Sequence, residues 1–468
     1  MFKLFKASCP VLLLFAFTAT WSQVKPVALH PDNPHYFIYN NKPTVFVGSG
    51  EHYGAVINLD FDYITYFKEL SSEKLNITRT FTGSYVESSK AFNISNNTLA
   101  PAAGRFICPW KRSNVPGYAG GGNKFDLSSW DEEYFRRLKD FVATARKSGV
   151  VVELAMFCPF YEDTLWQLSP MNSRNNINNI EKMSGNDVYT LDKNKSLMKV
   201  QEDMVRKIVT ELNAFDNVLF EICNEPYFGG VTLEWQHRIA DVIVATEKDL
   251  PNKHLITQNI ANGSAVINNP HPGVSVFNFH YAWPPVAVAM NYHLNKPIGD
   301  NETGFRGNSD STYRMEGWRF ILAGGSLYNH LDYSFAPGYE KGNYKYGSTQ
   351  PGGGSDSLRK QLSYLRTFIE GFDFIKMKPD STVINNKKLN GAEAHVLAEN
   401  GKQYAVYFYG TSDQPFEMNV ASGSYEASWM NTTSGKFFNR KRVTAKDNRL
   451  TLTPPKYQHD VALKLIRK

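Results

Sequence analysis

The sequence predicts an α/β protein in which a (β/α)8 barrel is followed by a small C-terminal β-sandwich. Between residues 44 and 375, short apolar runs alternate with amphipathic helical patterns, and strands separated by helices pair in parallel. Eight such runs can be counted, which is the number that closes a barrel with its active site at the carboxyl ends of the strands. From residue 379 to 468 the helical patterns stop, and short strands with turn residues follow, as in a sandwich.

The length and charge of the chain narrow its class. Its 468 residues exceed one average domain, so a large domain with a smaller one is expected. The net charge of +6 is spread without a long basic run, which argues against nucleic acid as the main partner. Aromatic residues make up 14% of the chain, which indicates a large core and leaves room for rings that stack on sugars.

The first 22 residues have the pattern of a secretory signal peptide. Lys3 and Lys6 precede an apolar run from Val11 to Ala19, and small and polar residues follow it. That run is well short of the roughly 20 residues a membrane-spanning helix needs. We therefore expect an exported protein, periplasmic or extracellular, without a membrane span.

The elements follow in order after the signal. Residues 23–43 contain a hairpin that turns at Asn40-Asn41. Residues 83–127 are rich in Gly and Asn and predict a long loop at the barrel rim. Such a loop could wall off one end of a groove, which would favour exo action or short oligosaccharides, and endo versus exo action stays open. Ser129 and Glu132 suggest a capping box for a helix over 129–148. The barrel strands are expected near residues 45, 77, 152, 219, 256, 277, 298 and 321, with further helices over 60–73, 194–213, 233–250 and 358–372.

The C-terminal strands carry no evident catalytic cluster. They begin with a hairpin that turns at Asn400-Gly401. We expect this domain to support the barrel structurally, with carbohydrate binding as the alternative.

Cysteine usage gives no metal or disulfide pattern. Without the signal peptide, Cys108, Cys158 and Cys223 remain, an odd number without metal-ligand spacing. Buried free thiols or a single bridge between Cys158 and Cys223 both fit. No metal and no organic cofactor is predicted.

Two glutamates stand where barrel strands end. The apolar run from Val218 to Cys223 stops in Asn224-Glu225-Pro226, and Pro226 cannot donate to a sheet ladder. Glu302 ends the run near residue 298 in the same way. A lone Glu is usually a solvated surface charge, but here both follow apolar strands within an eightfold alternation. Two carboxyl groups about 5 Å apart across the mouth are what glycoside hydrolysis with retention requires.

On these residues the chain resembles the (β/α)8 retaining glycosidases of the clan that includes the cellulase family, over residues 44–372. The resemblance implies that Glu225 is the acid/base and that Asn224 binds the sugar 2-hydroxyl. It implies that Glu302 is the nucleophile and that Arg79, near the end of the second strand, orients it.

Other rim positions complete the predicted substrate site. The pair His280-Tyr281 matches the end of the sixth strand in that clan. The Trp platform that often ends the eighth strand is missing, so another ring must stack the sugar. The further candidates are Glu51 and His52 at the end of the first strand, and Trp283, Tyr333 or Phe335 as the stacking ring.

We therefore expect a retaining glycoside hydrolase that cleaves β-linked oligo- or polysaccharide. The alternative from another class is a glycan-binding protein on a degenerate barrel. An inverting enzyme with the same two carboxylates is a third possibility, and the separation of the carboxyl groups distinguishes it. The sugar, its linkage and the oligomeric state stay open.

Overall fold

The structure is a computed structural model that describes residues 25–386, 389 and 391–468. The predicted signal peptide lies outside these residues. None of the helices in the described ranges is both long and apolar enough to cross a membrane.

The chain enters through a small antiparallel sheet of β1 (Ala28–Leu29), β2 (Phe37–Tyr39) and β3 (Lys42–Thr44). Asn40 and Asn41 form the turn between β2 and β3, both with positive φ, as the sequence predicts. Asparagine tolerates this left-handed conformation better than other non-glycine residues. The hairpin delivers the chain into the first barrel strand.

Eight parallel strands then form the barrel. They are β4 (Phe46–Gly50), β5 (Ile77–Phe81), β8 (Val151–Phe157), β9 (Val218–Cys223), β10 (Ile256–Asn262), β11 (Val274–His280), β12 (Ile298–Thr303) and β13 (Leu327–Leu331). The hydrogen-bonded order is β4-β13-β12-β11-β10-β9-β8-β5. The side chain of Asn76 joins the two end strands, because it accepts from Val47 N at 2.8 Å and donates to Val45 O at 2.9 Å.

Helices surround the barrel. They are α1 (Tyr63–Ser72), α2 (Glu132–Lys147), α3 (Asp163–Trp166), α4 (Leu197–Leu212), α5 (Leu233–Glu247), α6 (Val286–Asn291), α7 (Asp310–Leu322) and α8 (Asp356–Glu370). Short 3-10 turns lie at Ala91–Asn93, Gly185–Asp187, Tyr292–Leu294 and Phe374–Lys376. The fold class predicted from the alternation of apolar runs is thereby confirmed.

The predicted position of the eighth strand is wrong. Residues near 321 belong to α7, and the strand is β13, which follows it. Trp318, Phe320, Ile321 and Leu322 are all fully buried, because α7 lies between the barrel and the C-terminal domain. A helix buried on most sides loses its polar face, so its apolar run cannot be distinguished from a strand by periodicity.

Two expectations for residues 83–148 also need correction. The segment predicted as a loop contains a hairpin of β6 (Trp110–Pro116) and β7 (Asn123–Trp130). The cap of α2 is Asp131, whose carboxylate accepts from Glu133 N and Tyr134 N, and Ser129 does not cap it. Ser129 instead donates its hydroxyl to Asp126, which draws it away from the helix.

The C-terminal domain contains two antiparallel sheets. The larger has the order β14-β15-β16-β21-β18-β19, formed by Lys378–Pro379, Glu393–Glu399, Gln403–Tyr409, Asp460–Arg467, Gly423–Met430 and Phe437–Ala445. The smaller pairs β17 (Phe416–Asn419) with β20 (Arg449–Leu452). Residues of both sheets share one apolar core, as a sandwich requires.

The other face of the larger sheet packs on the barrel. Tyr407 stacks on Trp318 of α7 with ring centroids 5.4 Å apart. Arg314 of α7 forms a buried ion pair with Asp460, with NH2 and Oδ1 at 2.6 Å. The C-terminal domain thus packs against the barrel, while its expected structural role, with carbohydrate binding as the alternative, stays a prediction.

Candidate active site

A cavity of about 330 Å³ opens at the carboxyl ends of the barrel strands. This is near the lower end of the range of roughly 300–1,000 Å³ for small-molecule sites. Larger depressions lie elsewhere on the surface, but this cavity contains both predicted carboxylates. Its lining residues are His52, Tyr53, Phe81, Glu87, Phe92, Leu99, Cys158, Tyr161, Asn224, Glu225, Phe228, Asn262, Tyr281, Glu302 and Phe305.

Glu302 lies in β12 and is held by three donors. Its Oε2 accepts from the Tyr53 hydroxyl at 2.9 Å and from Arg79 NH1 at 3.0 Å. Its Oε1 accepts from the Tyr281 hydroxyl at 2.6 Å. Hydrogen bonds to a charged group are shorter and stronger than neutral ones. The carboxylate is therefore fixed in one orientation toward the cavity.

Glu225 is the second residue after the end of β9, and its side chain lines the same cavity. Its Oε2 accepts from the Tyr161 hydroxyl at 2.6 Å, and its Oε1 accepts from the Tyr227 hydroxyl at 3.1 Å. Its φ of +35° is unfavourable for a residue with a Cβ. Tyr53 and Tyr281 also have positive φ, at +56° and +52°. Such conformations concentrate at sites where the surrounding structure holds them for function.

His280, at the end of β11, lies between the two carboxylates. Its Nδ1 is 3.1 Å from Glu225 Oε1 and 3.5 Å from Glu302 Oε1. One carboxylate oxygen of Glu225, one of Glu302 and one ring nitrogen of His280 all lie within 4.8 Å of one another. A carboxylate oxygen of Glu225 therefore lies within 4.8 Å of one of Glu302.

The protonation of Glu225 is set by opposing effects. Burial raises its pKa, but the hydrogen bond and charge of His280, with the hydroxyls of Tyr161 and Tyr227, outweigh burial and bring the pKa below its usual value. In the open site the ionised form of Glu225 is favoured.

Arg79 links the floor of the cavity to both functional positions. Its Nε donates to Glu221 Oε2 at 2.8 Å, and its NH2 donates to Asn224 Oδ1 at 2.6 Å. The oxygen of Asn224 is thereby occupied, and its Nδ2 donates to the Tyr161 hydroxyl at 2.8 Å. The guanidinium thus donates to both Asn224 and Glu302, and the role in orienting Glu302 that the resemblance implies stays a prediction.

A second polar layer lies beneath this floor. Asn301 donates to Glu221 at 2.8 Å and to Glu153 at 3.0 Å, and Glu153 also accepts from Thr257 and Asn278. Burial raises the pKa of Glu153 to about 6. The Oδ1 atoms of Asn278 and Asn301 have no hydrogen-bond partner among the described residues, so this buried network is only partly satisfied.

His52 lies on the wall of the cavity beside a carboxylate that the sequence did not indicate. Its Nε2 is 3.2 Å from Glu87 Oε2. Burial lowers the pKa of His52, but the charge of Glu87 and the hydrogen bond to it raise the pKa above its usual value overall. Glu87 also accepts from Tyr85 and Asn97. Both side chains can therefore contact a sugar hydroxyl.

Six of the predicted residues are absent from the cavity lining: Arg79 and His280 are buried next to the two carboxylates, whereas Glu51, Trp283, Tyr333 and Phe335 make other contacts. Glu51 turns its carboxylate to Gly54 N at 2.9 Å and Ala55 N at 3.1 Å, where it stabilises the backbone. The ring of Trp283 lies between the guanidinium groups of Arg306 and Arg319 and the ring of Tyr409, next to the C-terminal domain. Tyr333 is buried behind Phe305, with ring centroids 6.2 Å apart. Phe335, the third candidate, packs against Tyr66 and Arg359.

Several cavity residues were not found from the sequence. Tyr53 directly follows the predicted Glu51-His52, so its position at the end of the first strand was an available signal. Tyr161 lies in the rim segment after β8, but nothing in its spacing identifies it. Glu87 and Phe92 come from the 83–127 segment, whose path depends on tertiary packing.

Glu225, His280 and Glu302 could also hold a cation by distance, since carboxylate oxygens and imidazole nitrogens are metal ligands. Hydrogen bonds from Arg79, Tyr53, Tyr281 and Tyr161 already satisfy the carboxylates. That no metal is required stays a prediction, and activity after dialysis against a chelator tests it.

Comparison with known families agrees with this geometry. Residues 105–303 match the model of Cellulase (glycosyl hydrolase family 5). Residues 378–465 match the model of a proposed collagen-binding domain of a collagenase. A search of curated protein sequences found no match.

Solved structures share the fold at low sequence identity. A proposed glycoside hydrolase from Bacteroides vulgatus has a TM-score of 0.69 and 14% identity, with 95% of this chain and 83% of that chain covered. A glycoside hydrolase family 5 structure from the same organism has a TM-score of 0.66 and 14% identity, covering 94% of this chain and 93% of its own. A family 30 subfamily 8 xylanase from Clostridium acetobutylicum has a TM-score of 0.50 and 13% identity, with coverages of 95% and 100%.

Proposed function

We propose that this chain is a glycoside hydrolase of the (β/α)8 clan that includes the cellulase family. We further propose that it cleaves β-glycosidic bonds with retention. Glu302 is the nucleophile and Glu225 is the acid/base. The substrates are oligosaccharides, polysaccharides or other β-glycosides.

One observation carries this proposal: carboxylate oxygens of Glu225 and Glu302 approach within 4.8 Å across the cavity. Retaining enzymes have carboxyl groups about 5–5.5 Å apart, whereas inverting enzymes need roughly 6.5–9.5 Å to admit a water molecule. The short separation supports direct attack by one carboxylate on the anomeric carbon.

The reaction has two steps. In the first, Glu302 attacks the anomeric carbon while Glu225 protonates the departing glycosidic oxygen, which gives a covalent glycosyl ester. In the second, Glu225 removes a proton from water, the water attacks the anomeric carbon, and Glu302 leaves as a carboxylate. Asn224 has the role that the resemblance implies: its amide donates to the sugar 2-hydroxyl, in exchange for its hydrogen bond to the Tyr161 hydroxyl.

The lowered pKa of Glu225 suits the second step, in which it acts as a base. The first step requires the protonated form. A bound substrate covers Glu225 and excludes water, and desolvation raises the pKa of a carboxyl group. Substrate binding therefore favours the acid form when a leaving group is present.

The stereochemistry of the product tests retention. Proton NMR during hydrolysis of aryl β-glycosides should show the β-anomer first, followed by slow mutarotation. Initial formation of the α-anomer would contradict the proposal.

The nucleophile is tested separately. Glu302→Ala should lose turnover, and added azide should restore release of the aryl alcohol with formation of the α-glycosyl azide. A Glu133→Gln variant on the exposed face of α2 provides the matched control and should keep full activity. A Glu302→Ala enzyme that stays active without azide rules out this assignment.

We further infer that the protein is exported, on the basis of the N-terminal sequence pattern. Fractionation of cells that express the full chain should find the processed protein outside the cytoplasm. Retention of the unprocessed chain in the cytoplasm contradicts export.

A further inference from the structure

Five aromatic side chains that line the cavity form an open row of ring contacts at its mouth, here called the aromatic collar: Phe92, Tyr161, Phe228, Tyr281 and Phe305. Successive centroids are 5.7 Å apart for Phe228 and Tyr161, 5.4 Å for Tyr161 and Phe92, 6.5 Å for Phe92 and Phe305, and 6.0 Å for Phe305 and Tyr281. Edge-to-face arrangements dominate these contacts, which is a favoured geometry for aromatic pairs.

The two tyrosines of the collar are hydrogen-bonded to the proposed catalytic carboxylates. Tyr161 donates to Glu225 and Tyr281 donates to Glu302, each at 2.6 Å. The collar therefore spans the space directly above both reacting groups. Phe228 also follows the proposed acid in a tight turn, in which its N–H donates to the Glu225 carbonyl at 3.0 Å.

The phenylalanines of the collar are unusually exposed. Phe92, Phe228 and Phe305 are 37%, 42% and 38% exposed, and they come from three different loops. Large apolar side chains held together at a functional mouth mark a surface that binds an apolar group.

Polar groups are concentrated below the collar. His52, Glu87 and Asn224 line the deeper part of the cavity, where a sugar hydroxyl would find partners. At the mouth, the hydroxyls of both collar tyrosines are already engaged on the carboxylates. Asn262, an exposed polar side chain that also lines the cavity, already accepts from the Tyr227 hydroxyl.

We propose that the collar is the leaving-group site for an apolar aglycone, so that the natural substrates are short β-glycosides of an aromatic or similarly apolar alcohol. This inference rests on the proposed function. The leaving group lies beside the acid Glu225, and Phe92 and Phe228 both contact Tyr161, which donates to that carboxylate. A second sugar could stack only its C–H face on these rings, and its hydroxyl groups would find few free donors at the mouth, because the hydroxyls of Tyr161 and Tyr281 already donate to the carboxylates.

The experiment compares leaving groups of similar acidity, so that intrinsic reactivity does not decide the result. The substrates are the methyl and 2-phenylethyl β-glycosides and the β-linked disaccharide of one sugar. The sugar is first identified by screening the dinitrophenyl β-glycosides of glucose, mannose, galactose and xylose and taking the one that is hydrolysed fastest. The measured quantity is kcat/KM.

The wild-type enzyme should prefer the 2-phenylethyl glycoside to the methyl glycoside by at least about tenfold, given the worth of aromatic contacts. It should also prefer it to the disaccharide. Phe92→Ala, Phe228→Ala and Phe305→Ala should each lower the phenylethyl-to-methyl ratio by about 3- to 10-fold. Leu variants at the same three positions remove the ring but keep an apolar side chain, so they are less prone to misfold than the Ala variants. The unfolding temperature is measured for every variant.

Phe437→Ala is the matched control, since this phenylalanine is 50% exposed on β19, in the C-terminal domain. It should leave the ratio unchanged. A wild-type preference for the disaccharide, or collar variants that slow both glycosides equally, overturns the collar proposal while glycosidase activity stands. Failure to hydrolyse any dinitrophenyl glycoside overturns the proposed function and this inference with it.

Discussion

The hydroxyl of Tyr53 should control how well Glu302 leaves the covalent intermediate. Tyr53→Phe removes the donor that lies 2.9 Å from Glu302 Oε2. The ring should stay in place, because it stacks on Phe81 at 4.9 Å and contacts the Arg79 guanidinium at 4.5 Å. The substitution therefore deletes one hydrogen bond with little change in packing.

A hydrogen bond to a charged group contributes about 1.5–3 kcal/mol. In the second step Glu302 regains its full negative charge as it leaves, so the lost donor should slow this step more than the first. The corresponding decrease in kcat is about 10- to 150-fold. Arg79 remains on the same oxygen, which favours the lower half of this range.

The assay is steady-state and stopped-flow hydrolysis of a dinitrophenyl β-glycoside, whose reactive leaving group makes the second step limiting. Tyr53→Phe should lower kcat and KM together and enlarge the initial burst, because the intermediate accumulates. Tyr134→Phe provides the control, since this buried hydroxyl on α2 has no hydrogen-bond partner in the described part of the chain. Unchanged kcat and burst in Tyr53→Phe would refute the reasoning.

Three further predictions concern the acid, a buried carboxyl and the domain contact. Glu225→Ala should reduce kcat/KM by about 10²–10⁴-fold for alkyl glycosides, but far less for dinitrophenyl glycosides, which need no acid; equal losses on both substrates contradict the acid role. Burial raises the pKa of Glu51 to about 7. The folded protein thus binds this proton more tightly than the unfolded chain, and stability should fall as pH rises from about 4.5 to 7. Glu51→Gln should reduce the difference in the free energy of unfolding between pH 5 and pH 8 by up to about 3 kcal/mol, as measured by urea titration at both pH values. An unaltered difference would contradict the raised pKa of Glu51. Arg314→Ala leaves Asp460 buried without its ion-pair partner and should destabilise the protein by about 3–5 kcal/mol in denaturant titrations. Because the pair lies away from the cavity, KM should not change. A variant as stable as the wild type would mean that the Asp460 carboxylate is solvated.

The positions of Glu225 and Glu302 in one cavity could be predicted because the order of strands in a barrel determines where the end of each strand lies. Glu225 and Glu302 end apolar strands, and parallel strands bring their carboxyl ends to one rim. Arg79 was accessible by the same reasoning. A position at a strand end did not suffice for Glu51, whose carboxylate accepts from the amides of Gly54 and Ala55 instead of facing the cavity.

The remaining site residues depend on how loops pack. Phe92 and Glu87 lie in a segment without apolar periodicity, so nothing local directs them to the cavity. Trp283 stands close to a strand end but turns to Arg319 and the C-terminal domain, a contact that no local pattern encodes. The eighth strand was misplaced because Trp318 and its neighbours lie in a helix that is covered on most of its faces by tertiary contacts.

The identity of the covalently labelled residue tests the central claim most directly. A 2-deoxy-2-fluoro β-glycoside with a dinitrophenyl leaving group slows the second step and traps the glycosyl ester. Peptide mapping by mass spectrometry should find one fluoroglycosyl group per chain, attached to Glu302. A label on Glu225 or another side chain, or first-order inactivation without any covalent adduct, would contradict the assignment of Glu302 as the nucleophile.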